Sequence, residues 1–157
     1  MGIGLIDNVF RDSVLPTPGC VVWCDLLWAA EHSGIYIGDN EIVHLNGDGE
    51  IEAVSPEEFI DRRNGKNLAV SIYVSCFDKD PSGSKSIAKR AKSMIGKQRK
   101  YHFLGNNCHQ FTSGCITGDF ESPDNFFWFL KETVDNHMTV NNWRVWTRNG
   151  QWFATAD

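Results

Sequence analysis

The sequence has no run of eighteen or more apolar residues, which excludes an ordinary helical membrane span. Its opening stretch, MGIGLIDNVFRDS, has neither a basic segment nor a long apolar one, so no signal peptide is expected there. Ile6 does not fit the N-myristoylation pattern. A cytoplasmic location is therefore expected. The five cysteines include no CxxC pair: Cys20 and Cys24 are spaced CxxxC and the other three are scattered. That excludes a zinc ribbon and a redox dithiol, so neither metal nor cofactor is expected. Cys20, Cys24, Cys76 and Cys115 sit among apolar residues and read as small buried hydrophobes rather than as a disulfide framework. Repeats, low-complexity tracts and long linkers are also missing. One domain over residues 1–157 is expected, with a core of about 16–137 and an aromatic hairpin at about 141–153.

Acidic residues are absent between Pro81 and Gly118, although the chain as a whole carries a net charge of −5. That stretch holds Lys85, Lys89, Arg90, Lys92, Lys97, Arg99 and Lys100, and the rest of the chain is strongly acidic. Such a block is either a solvated helix face or an attractor for anionic lipid headgroups. No nucleic-acid recognition motif accompanies it, so a nucleic-acid partner is not expected.

The hydrophobic pattern mixes strands and helices. CVVWC and LAVSIYVSCF read as strands, and EIEAV reads as a strand passing into a helix at Ser55, where Ser55 and Glu58 make a capping-box pattern. PSGSKSIAKRAKSMIGK reads as an amphipathic helix burying Ile87, Ala91, Met94 and Ile95. ESPDNFFWFLKETVDNH reads as a helix initiated at Pro123 and Asp124, with Phe126, Phe127, Leu130 and Val134 as its apolar stripe and His137 complementing its C-terminal dipole. NWRVWTRNGQWF reads as a hairpin turning at Asn149-Gly150, its Trp143, Trp146 and Trp152 covering a sheet edge or a groove. The expected class is α+β, a small antiparallel sheet packed against helices.

Within this frame, three residues stand out. HSGIYIGDNEIVHL reads as a hairpin, and alternation puts His32, Gly34 and Tyr36 on one face of the first strand and Ile42 and His44 on one face of the second. A three-residue loop at Gly38-Asp39-Asn40 would set His44 opposite Gly34 and diagonal to His32. A two-residue turn would send it to the other face. Further on, GNNCHQF has turn residues followed by a helix, with Asn106 or Asn107 as N-cap, Cys108, Phe111 and Cys115 along one stripe, and Gly118 as a left-handed cap. A thiol in the first turn of a helix feels the positive end of its dipole, which favours the thiolate. His102 and His109 read as structural or exposed.

HSGIYIG, a second histidine twelve residues after the first, and a later NC followed by Phe111 resemble the lecithin:retinol acyltransferase-like family over roughly Pro18 to Gly118. The resemblance implies a circularly permuted, NlpC-type papain-like fold. It also implies Cys108 as nucleophile, His32 as base and His44 as the residue orienting His32. Tyr101 stands seven residues before Cys108, where family members often carry a tyrosine. Relatives often read NCEHF where this chain has NCHQF, and the C-terminal membrane helix of the retinol-acylating members is absent from the sequence. The expected activity is that of a thiol acyltransferase or phospholipase A on phospholipid-like acyl esters. The expected substrate contacts are Tyr36, Tyr101, Lys89, Arg90 and Lys92, with peripheral contact to an anionic membrane. Two other readings stay open: a cysteine peptidase or amidase using the same three residues, and a non-catalytic binding module.

Overall fold

The computed structural model describes residues 13–26, 30–60, 71–100 and 107–147. In chain order they form β1 (Ser13–Val14), β2 (Val21–Leu26), β3 (Ala30–Gly38), β4 (Glu41–Leu45), β5 (Ile51–Val54), α1 (Pro56–Ile60), β6 (Tyr73–Phe77), β7 (Asp80–Pro81), α2 (Lys85–Met94), α3 (Cys108–Thr117), α4 (Phe127–His137) and β8 (Asn142–Trp146). The strands make one sheet in the order β1-β8-β6-β2-β3-β4-β5, with β7 paired to β6. The α+β class is as expected, but the sheet is mixed. β8 returns antiparallel to β6, and β1 joins its other side in parallel, a pairing that requires the long intervening chain as its crossover.

Strand alternation divides the core in two. One face carries Val21, Ile35, Ile37, Val43 and Leu45 beneath α2, α3 and α4, whose Ile87, Phe111, Cys115 and Leu130 pack onto it. The other carries Val22, Cys24, Ile42 and Val74 against Phe59 and Ile60 of α1 and Trp146 of β8. Full burial of side chains such as Phe59 and Phe111 stabilises by roughly 1.5–3 kcal/mol each, enough to hold both faces in register. The four cysteines read as core residues are all buried and reduced. Among the described residues no helix is long and apolar enough to cross a membrane.

Local signals explain most element ends. The Ser55–Glu58 capping box forms both of its bonds, at 2.9 and 3.2 Å. Three expectations are corrected. Ile95 is exposed, because α2 stops at Met94 and Ile95 leaves with an extended backbone. Helix α4 starts at Phe127 rather than at Pro123–Asp124, because the Asp124 carboxylate accepts from Ser113 and Thr133 and ties α3 to α4. Phe126 is consequently outside the buried stripe, and it stacks on Trp128 at 4.5 Å in an exposed cluster with Phe129. Trp143 packs edge-on to Trp23, and Trp146 is buried against Tyr36. The expected turn at Asn149-Gly150 and Trp152 lie outside the described residues.

Candidate active site

The two histidines are placed by the β3–β4 hairpin. Ile35 pairs with Val43 and Tyr36 with Ile42, a register that carries on to Gly34 opposite His44, as expected. The route differs from the expected one. The turn has only two residues, Asp39 and Asn40, both at positive φ as a type I′ turn requires. Ile37 is an extra, unpaired residue in β3, and this bulge restores the register that a two-residue turn alone would have shifted. Gly34 lets the strands close: a Cβ there would lie 2.7 Å from the Val43 carbonyl oxygen and 2.8 Å from Ile42 Cγ2. With that approach, His32 Nε2 meets His44 Nδ1 at 2.7 Å. Both rings are buried and flank Phe59 of α1, with centroids at 4.8 and 5.7 Å.

A residue the sequence reading missed continues the chain. His44 pairs with Glu52 across β4–β5, and His44 Nε2 meets Glu52 Oε1 at 3.1 Å. Asn46 Nδ2 donates to the same oxygen at 3.1 Å. The signal was present: the NGDG turn after His44 and alternation in EIEAV place Glu52 on the histidine face.

Cys108 is the first residue of α3. Asn107 is the N-cap, its side-chain oxygen accepting from the His109 and Gln110 backbone N–H groups at 3.0 and 3.2 Å, while its amide donates to the Asn125 carbonyl. Gly118 closes the helix in the left-handed region, as expected. Asn107 thus satisfies the N–H groups of the two residues that follow Cys108 in the first turn. Cys108 Sγ lies 4.0 Å from the carbonyl oxygen of Glu31, the residue before His32. The first turn of α3 holds no acidic side chain to oppose a thiolate.

His109 is structural. It is buried, its Nδ1 is 2.9 Å from Ser33 Oγ, and its ring donates to the Glu31 carbonyl. Ser33 Oγ also meets Thr112 Oγ1 at 2.9 Å, and Thr112 Oγ1 donates to the Cys108 carbonyl at 2.8 Å. Burial lowers the His109 pKa to about 4, against the opposing effect of the Glu31 carbonyl. The imidazole beside the cysteine is thus a neutral brace between α3 and β3. Burial raises the pKa of Cys20 and Cys115 and takes that of Cys76 to about 11, so these thiols are inert by environment.

The remaining expected site residues are spread out. Tyr36 packs on Trp146, and its hydroxyl accepts from the Asn40 N–H at 3.3 Å. Arg90 Nη1 donates to the Cys115 and Ile116 carbonyls at 2.6 and 3.1 Å, so it caps the end of α3 opposite Cys108, about 11 Å along the helix axis. Its guanidinium holds the cysteine helix rather than standing beside the thiol. Lys89 and Lys92 are exposed on α2. Tyr101 and His102 lie outside the described residues. His137 closes α4 with Nδ1 3.1 Å from the Thr133 carbonyl oxygen.

The family model described as Lecithin retinol acyltransferase matches residues 17–121, a span that holds β2 through α3 with His32, His44, Glu52 and Cys108. No curated protein sequence matches the chain.

Proposed function

The chain belongs to the lecithin retinol acyltransferase family, and on that premise we propose that it is a thiol acyltransferase or phospholipase A acting on phospholipid-like acyl esters through Cys108. The family in general carries cysteine-dependent acyltransferase and acyl hydrolase activity on an NlpC-type papain-like fold. The observation that carries the reading is the Cys108 thiol at the capped N-terminus of α3, against the strand residue that precedes His32, with His32 bonded to His44.

In this mechanism His32 takes the Cys108 proton and Sγ attacks the ester carbonyl carbon. The Cys108 backbone N–H donates to the oxyanion. As the C–O bond breaks, His32 returns the proton to the departing lysolipid oxygen, leaving a thioester on Cys108. Water then gives the free acid, and an amine or a lysolipid hydroxyl gives acyl transfer. His44 holds the ring of His32. The exposed Phe126, Trp128 and Phe129 lie just after Asn125 in the chain, whose carbonyl accepts from the Asn107 amide, so the segment carrying this aromatic surface is tied to the cap of the cysteine helix. That placement supports peripheral contact with a bilayer. Lys89 and Lys92 add attraction to anionic headgroups.

The test is the intact mass of the protein after brief exposure to a mixed phospholipid dispersion, wild type against Cys108→Ala. A hydroxylamine-labile acyl adduct on wild type alone is expected. No adduct together with no lysolipid release overturns the lipid reading and points to an amide or peptide substrate.

A further inference from the structure

The hydrogen bonds around Glu52 have a direction that can be worked out from one end. Asn46 Oδ1 accepts from the backbone N–H of Asp48 at 2.9 Å and of Glu50 at 3.0 Å. Its oxygen is therefore the atom in the turn, and its Nδ2 is the atom facing Glu52, where it donates to Oε1. A carboxylate oxygen accepts only, so at 3.1 Å His44 Nε2 must carry its proton toward Glu52. A neutral His44 is then bare at Nδ1, and the 2.7 Å contact makes it the acceptor of a proton on His32 Nε2. His32 in turn carries its lone pair on Nδ1, the form in which that atom acts as a base.

We propose that Glu52 is a positioning residue of the active site, fixing the tautomers of His44 and His32 so that His32 Nδ1 accepts the Cys108 proton. The proposal rests on the reading of Cys108 as nucleophile and His32 as its base. Glu52 also favours the cationic form of the histidine pair once the proton has moved, which raises the thiolate fraction. The opposite tautomer of His44 would set an imidazole lone pair against the carboxylate. Other charged groups face the same region. A surface pocket of about 460 Å³ is lined by His44, Asn46, Asp48, Glu52 and Glu58. Glu58 is held in the α1 capping box, and neither it nor Asp48 bonds an imidazole in this network. The Glu52 side chain is 42 % exposed, so solvent screens part of its effect.

The test has two readouts on the full chain, neither of which needs a lipid substrate. Long-range ¹⁵N–¹H correlation of the imidazoles should show wild-type His32 and His44 both protonated at Nε2, and Glu52→Gln or Glu52→Ala should mix or invert these tautomers. Alkylation of Cys108 by iodoacetamide, followed against pH, should shift to higher pH in Glu52→Gln, about threefold to tenfold slower at pH 6. Glu52→Asp should recover part of the rate. Asp48→Asn, which removes a neighbouring charge without touching a ring, should leave the tautomers as they are. A purely structural Glu52 would change the melting temperature alone. Unchanged tautomers and an unchanged alkylation profile in folded Glu52→Gln, or wild-type His44 protonated at Nδ1, overturn the proposal. Absence of an acyl adduct, with these two readouts as expected, overturns the lipid reading alone.

Discussion

His109 should make this protein sensitive to mild acid. Its imidazole is 5 % exposed, and its pKa falls from 6.5 to about 4 on folding. A histidine with a depressed folded pKa contributes nothing unfavourable above the unfolded value. Below about pH 6.5 the unfolded chain takes the proton first, and stability is lost until the folded value near 4 is reached. Linkage over this window removes about 2 kcal/mol by pH 5 and about 3 kcal/mol by pH 4, a large share of the total stability of a domain of this size. The assay is urea unfolding of wild type and His109→Gln at pH 7, 6, 5 and 4.5. The variant should be the weaker protein at pH 7, since it loses packing between Ser33, the Glu31 carbonyl and Phe127. The gap should then narrow as the pH falls, because only wild type carries this titration. Parallel pH curves for the two proteins would refute the reasoning.

Two further outcomes follow from the geometry. Gly34→Ala puts a methyl 2.7 Å from the Val43 carbonyl oxygen and 3.3 Å from His44 Cβ, so β4 must shift. A loss of about 1–3 kcal/mol is expected in thermal unfolding, with acyl-adduct formation falling more than stability explains. Trp128→Ala should weaken binding to phospholipid vesicles of either charge, whereas Lys89→Gln with Lys92→Gln should weaken binding only to anionic vesicles and only at low salt. Vesicle co-sedimentation separates the two, and wild-type affinity in both variants would remove these surfaces from the proposed function.

Much of this arrangement was legible in the sequence because it is local. Alternation in HSGIYIG and EIVHL puts both histidines on one face, and a cap residue before Cys108 with Gly118 after it delimits α3. The bulge was not legible, since nothing in the composition of Ile37 marks it as unpaired; the face of His44 was right for a loop of the wrong length. Glu52 could have been found by extending the same alternation through the next turn. Asp124 and Arg90 could not. Each follows a local rule, as a helix initiator and as a basic surface residue, but tertiary partners on α3 and α4 claim the side chain. Asn107 rather than Asn106 is the cap, a choice of one residue that decides whether Cys108 or its neighbour heads the helix.

The unpaired residue at Ile37 sets an arithmetic on how this hairpin can change. Side chains on a strand repeat every two residues, so the same two-residue turn with Ile37 paired in the ladder would set Ile35 opposite His44 and turn that ring to the other side of the sheet from His32, whereas removing Ile37 altogether would leave Tyr36 opposite Ile42 and Gly34 opposite His44. The bulge, rather than the length of the tip, therefore decides the face. The tip can vary in residue type provided it keeps its left-handed pair, because the ladder inward of Gly38 and Glu41 is set by the bulge and not by the side chains of the turn. The meeting of two imidazoles from neighbouring strands thus depends on one residue, several positions away, being left out of the ladder.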